Sequence, residues 1–160
     1  MIMKSPLKPS DFNPSEDAEQ EAVMEWAAWK HPRELKWLHH IPNETRIPRK
    51  LRMSSEAFAS IVRAKLTKMG LKPGVADLFL PLPRGGYHGL YIEMKRRHGG
   101  KISDAQKAFL QDMAAAGYAA VVVKGSEAAE RVIERYLQLD EETNNGRNTD
   151  APVESAEDVV

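Results

Sequence analysis

The chain has no cysteine. Disulfides and thiolate metal ligation are therefore excluded, and any metal must be held by oxygen or imidazole. No apolar run approaches the ~20 residues of a membrane span, and Met1-Ile2-Met3-Lys4-Ser5-Pro6 lacks the apolar core of a secretory signal. The expectation is a soluble, cytoplasmic protein without membrane contact. Net charge is also missing, since 23 Lys and Arg balance 23 Asp and Glu. That balance conceals a polarity: residues 139–160 hold seven acids against Arg147 alone, and residues 30–107 hold 17 bases against six acids. Such a central section could neutralise phosphates, although most Lys and Arg simply solvate a surface.

At 160 residues the chain suits one domain with a core. The expected organisation is a flexible lead-in over 1–15, a domain over 16–138 and an acidic disordered tail over 139–160. Ser15 is placed to cap a helix from Glu16 to about Lys30, with Val23, Trp26 and Ala27 at helical spacing and Pro32 closing it. Leu35 to Ile41 reads as a short strand ending at Pro42-Asn43. The basic stretch 46–52 follows, and then a helix capped by Ser54 or Ser55 with Phe58, Ile61, Val62, Leu66 and Met69 as its apolar stripe, stopped by Gly70.

Val75–Pro81 and Gly89–Lys95 read as two strands of a hairpin joined by a turn-rich segment. Ser103 and Gln106 form a capping-box pattern for the next helix, in which Phe109, Leu110 and Met113 face inward and which Gly117 ends. Ala119–Val123 is an apolar strand. Ser126 is expected to cap a final helix carrying Ala129, Val132, Ile133, Tyr136 and Leu137. A central mixed sheet with helices on both faces is the simplest way to bury these stripes, so the fold class is α/β.

The chemistry concentrates in Leu90-Tyr91-Ile92-Glu93-Met94-Lys95. Strand alternation puts Glu93 and Lys95 on one face and Leu90, Ile92 and Met94 on the other. Asp77 lies in the preceding strand among Val75, Leu78 and Leu80, where a solvated charge is out of place. Two carboxylates converging from neighbouring strands make a hard oxygen site of the kind Mg²⁺ or Mn²⁺ prefers. A lysine beside them can position a nucleophile and offset developing charge. An E-x-K tripeptide alone is more often a surface ion pair. The five histidines fit neither a helical pair nor a zinc finger. Trp26, Trp29 and Trp37 could stack bases, but the core is their commoner use.

Taken together, Gly74-Val75-Ala76-Asp77-Leu78-Phe79-Leu80-Pro81, Gly89 to Lys95, Ser103 to Gln106, Gly117-Tyr118, His40-Ile41-Pro42-Asn43 and the aromatic first helix resemble the VRR-NUC (virus-type replication-repair nuclease) family. The resemblance spans nearly all of residues 16–138. It implies a restriction-endonuclease-like PD-(D/E)XK core, metal-binding acids at Asp77 and Glu93, a catalytic lysine at Lys95 and the Met94 backbone carbonyl as a further ligand. It also implies an acid on the first helix and a supporting glutamine after the E-x-K strand. Those roles fall on Glu19, with Glu16 and Glu21 close by, and on Gln106. Two departures stand out: Ala76 replaces a usual proline, and Glu44-Thr45 replaces expected glycines.

The resemblance implies a Mg²⁺-dependent endodeoxyribonuclease, with Mn²⁺ able to substitute. Stand-alone members resemble phage junction resolvases, which points to branched DNA such as a four-way (Holliday) junction cut by a homodimer. A restriction-like or general nuclease, or a catalytically silent DNA-binding module, are the alternatives. The expected DNA contacts are Arg46, Arg49, Lys50 and Arg52 in the first basic segment and Arg96, Arg97 and Lys101 in the second, acting on phosphates more than on bases.

Overall fold

A computed structural model describes residues 13–42 and 56–139. The elements are α1 (Glu16–Lys30), β1 (His39–His40), α2 (Glu56–Lys68), β2 (Leu78–Leu80), β3 (Leu90–Lys95), α3 (Asp104–Ala115), β4 (Ala119–Lys124) and α4 (Ser126–Leu137). They occur in the expected order and form one mixed sheet, β1-β2-β3-β4. β2 and β3 make the antiparallel hairpin, with Leu78 opposite Ile92 and Leu80 opposite Leu90. β3 and β4 run parallel, with Lys95 opposite Lys124, and α3 makes the crossover that such a pair requires.

The two faces of the sheet divide the apolar residues by strand alternation. Leu78, Leu80, Leu90, Ile92 and Met94 point to one face and form a single core with Val23 and Ala27 of α1 and Ala129, Ile133 and Tyr136 of α4. Full burial of a side chain such as Ile92 contributes roughly 1.5–3 kcal/mol. The opposite face carries Phe79 stacked on Tyr91 at 4.3 Å between ring centroids, and Tyr91 meets Phe109 of α3 edge-on. Helices thus cover both faces. Among the described residues, no helix is long and apolar enough to cross a membrane.

Local signals account for most boundaries. Ser15 accepts from Ala18 N–H at the start of α1, and Ser103 with Gln106 forms a complete capping box on α3. Three expectations are corrected. The strand over Leu35–Ile41 shrinks to His39–His40, because Leu35 N–H bonds to His31 C=O and Leu38 N–H to Leu35 C=O in turns that bury only Leu35 and Leu38. Ser126 is the first helical residue and not the cap; Gly125 occupies that position. The stripe of α2 is at most half-buried, at Val62 and Leu66, while Phe58, Ile61 and, just past the helix, Met69 are exposed. Trp29 and Trp37 are likewise exposed, while Trp26 packs against the core. Residues 1–12, 43–55 and 140–160, with the expected helix cap at Ser54 or Ser55 and both terminal tails, lie outside the described residues.

Candidate active site

Glu93 is the centre of the site. It is completely buried and lies on the face of β3 that looks toward α3. One oxygen, Oε1, accepts from Lys95 Nζ at 2.5 Å and also from Gln106 Nε2. The other, Oε2, is buried and has no hydrogen-bond partner among the described residues. A buried anionic oxygen left without a donor costs free energy unless something else neutralises it. Burial pushes the Glu93 carboxyl up to about 7; the hydrogen bond from Lys95 opposes this, and the nearby Asp77 and Glu16 charges add to it.

Asp77 sits immediately before β2, one residue short of the strand in which it was expected. Its Oδ2 accepts from Met94 N–H at 2.8 Å. A side chain here stands in for the ladder, because β2 has already ended where Met94 would seek a backbone partner. Lys95 C=O, in contrast, accepts from Gly125 N–H on the β4 side. Backbone groups alternate along a strand, so the Met94 carbonyl points to the same side as its N–H, toward Asp77. Asp77 backbone C=O in turn accepts from Ile41 N–H at 2.8 Å, which ties the acid to β1.

The loop that delivers Asp77 is pressed against α3. Gly74 has φ +89°, and a Cβ there would lie 2.7 Å from the Ala105 backbone carbon. Only glycine allows both that backbone conformation and that approach. Gln106, the next residue along α3, therefore reaches Glu93 from a turn that also supports Asp77.

On α1, Glu19 is engaged by groups from two distant segments. Its buried carboxylate receives Arg97 Nε at 2.7 Å and Ser126 N–H at 2.8 Å. Burial pushes this carboxyl up, but the Arg97 and Ser126 hydrogen bonds outweigh it and hold Glu19 below its ordinary range. Glu19 thus caps α4 from a distance, where Gly125 supplies no side-chain cap. The acid of α1 that faces Lys95 is Glu16, with 4.0 Å between Nζ and Oε1. Glu19 and Glu16 thus differ in what they face: Glu19 meets Arg97 and Ser126, and Glu16 meets Lys95.

Arg97, expected at DNA, is committed to Glu19 and reaches Glu127 at 3.4 Å. Arg96 and Lys101 are exposed beside the site. Arg46, Arg49, Lys50 and Arg52 lie outside the described residues.

Among the described residues no three histidines or acids form a ready-made metal cage. The donors are instead a pair of carboxylates and a backbone carbonyl, all hard oxygens. That set suits a small divalent ion that keeps several of its waters, and the unmatched Glu93 Oε2 is the atom such an ion would satisfy.

The profile of the VRR-NUC domain matches residues 14–127. A solved structure described as a VRR_NUC domain protein is 31% identical, with a TM-score of 0.64, over 80% of this chain and 92% of that one. No curated protein matches. The chain belongs to the VRR-NUC family, and its domain is of the nuclease type.

Proposed function

We propose that the protein is a metal-dependent DNA endonuclease that hydrolyses phosphodiester bonds at Asp77, Glu93 and Lys95, with branched duplexes such as four-way junctions as its substrate. The observation that carries this reading is the one-sided loading of Glu93. Lys95 and Gln106 both occupy Oε1, while Oε2 is left buried and unmatched. A carboxylate serving only an ion pair has no reason to be held in this way.

Asp77, Glu93 and the Met94 carbonyl would hold Mg²⁺ or Mn²⁺. When bound, the ion supplies polarisation of the phosphoryl oxygen and a more acidic water. The chain's own residues do the rest. Lys95, nearly buried, places a cation where charge develops on the phosphate and orients the attacking water. Glu16, partly exposed and close to Lys95, is positioned to take up a proton from that water. Arg96 and Lys101 leave the end of β3 toward solvent and offer charge to the flanking phosphates.

The branched substrate follows from the resemblance to stand-alone junction-cleaving members, and a symmetric dimer places two such sites on opposed strands. The exposed Ile61 of α2 and Met69 just after it are apolar surface available to that dimer. The test is cleavage of labelled four-way junctions, flaps, linear duplex and single strands in Mg²⁺. Preferential cutting of junctions supports the reading. Equal cutting of linear duplex points to a general nuclease, and tight binding without cutting points to a DNA-binding module.

A further inference from the structure

We infer that Ser103 is a positioning residue for the active site: its backbone N–H fixes which way the Gln106 carboxamide faces, and so confines the protein's donors to one oxygen of Glu93. This rests on the metal-dependent reading above and goes beyond it, because Ser103 touches neither acid.

The carboxamide of Gln106 lies between two groups of opposite character. Its Oε1 accepts from Ser103 N–H at 2.9 Å, and its Nε2 donates to Glu93 Oε1. Turning the amide over would set NH₂ against N–H and oxygen against a carboxylate, losing both bonds. The Ser103 N–H therefore decides the orientation. The Ser103 hydroxyl closes the box by accepting from Gln106 N–H at 3.2 Å, which anchors the side chain at the start of α3.

The consequence is felt at Glu93. Because Gln106 presents only hydrogens, it joins Lys95 on Oε1, and the carboxylate is pinned with Oε2 turned away from both donors. The same turn contributes Ala105, whose backbone meets Gly74 just ahead of Asp77. A single capped turn thus braces the backbone leading to one acid and the side chain of the other. Groups that orient a ligand in this way control metal affinity without touching the ion.

Two substitutions separate the N–H from the hydroxyl. Ser103→Ala removes the hydroxyl cap and keeps the N–H. Ser103→Pro removes both, and φ −81° at this residue is close to what proline adopts. Mn²⁺ is titrated into each full-length variant without DNA and bound metal is read by electron paramagnetic resonance, alongside melting curves and kcat and KM for DNA. Ser103→Ala is expected to melt earlier than wild type but to bind Mn²⁺ within about twofold of it, whereas Ser103→Pro binds about tenfold more weakly, with kcat reduced and KM unchanged. Equal Mn²⁺ affinity in the two variants overturns the inference; absence of Mn²⁺ binding by the wild type overturns the metal-dependent reading itself. Should Ser103→Pro not fold, the backbone amide proton of Ser103 in ¹⁵N-edited spectra of the wild type tests the same bond. Slow exchange with solvent, lost in Gln106→Ala, supports the assignment, and free exchange refutes it.

Discussion

Stability of the metal-free protein should fall as pH rises, and Glu93 should be the reason. Its carboxyl titrates near 4.5 in the unfolded chain and at about 7 in the fold, because burial and the neighbouring acids penalise its charge. A raised carboxylate holds its proton in the folded state and not in the unfolded state between these values. Its contribution is therefore fully present below pH 4.5 and is lost as pH climbs through 7. The whole displacement corresponds to about 3 kcal/mol, of which about 2 kcal/mol falls between pH 5.5 and 8.5. Against a domain stability of roughly 5–15 kcal/mol that is measurable, and in urea it moves the midpoint by about 1 M. The assay is urea unfolding in chelator at the two pH values, for wild type and Glu93→Gln. Wild type should lose that stability at pH 8.5 and regain it with Mn²⁺, which competes with the proton for the same carboxylate. The variant should lack this component of the pH slope. Equal slopes in wild type and Glu93→Gln would refute the reasoning, as would an equal Mn²⁺ effect at both pH values.

The remaining expectations concern the supports of the site. Glu16→Gln should lower the cleavage rate at least about tenfold with the melting temperature unchanged. Glu19→Ala should instead cost about 1–3 kcal/mol in urea unfolding, the buried-pair penalty being reduced because Arg97 is partly exposed. Gly74→Ala should destabilise by about 1–3 kcal/mol, since a methyl group would press on the Ala105 backbone at a positive φ. A melting temperature equal to wild type would show that the loop simply moves aside.

Much of this arrangement was legible in the sequence because it is written in local patterns. Strand alternation put Glu93 and Lys95 on one face, and the serine–glutamine spacing announced the capping box of α3. The rest depends on contacts between distant segments. Glu16 and Glu19 lie one turn apart on the same side of α1, so periodicity cannot choose between them. What differs between them is distant: Arg97 and Ser126 bond Glu19 from 78 and 107 residues away. Leu35 to Ile41 is an apolar run too short for its period to separate a strand from successive turns. The stripe of α2 shows that an amphipathic pattern states a need for cover without naming the cover; Ile61 and Met69 are apolar and yet exposed.

The central claim is that Asp77, Glu93 and Lys95 hydrolyse DNA with a divalent ion. Its most direct test is incubation of purified protein with end-labelled four-way junction DNA in Mg²⁺ or in excess chelator, with wild type beside Asp77→Ala and Lys95→Ala variants whose melting curves show that they fold. Discrete products are predicted from the wild type in Mg²⁺ alone. Cleavage in excess chelator, or undiminished cleavage by either variant, would contradict the claim.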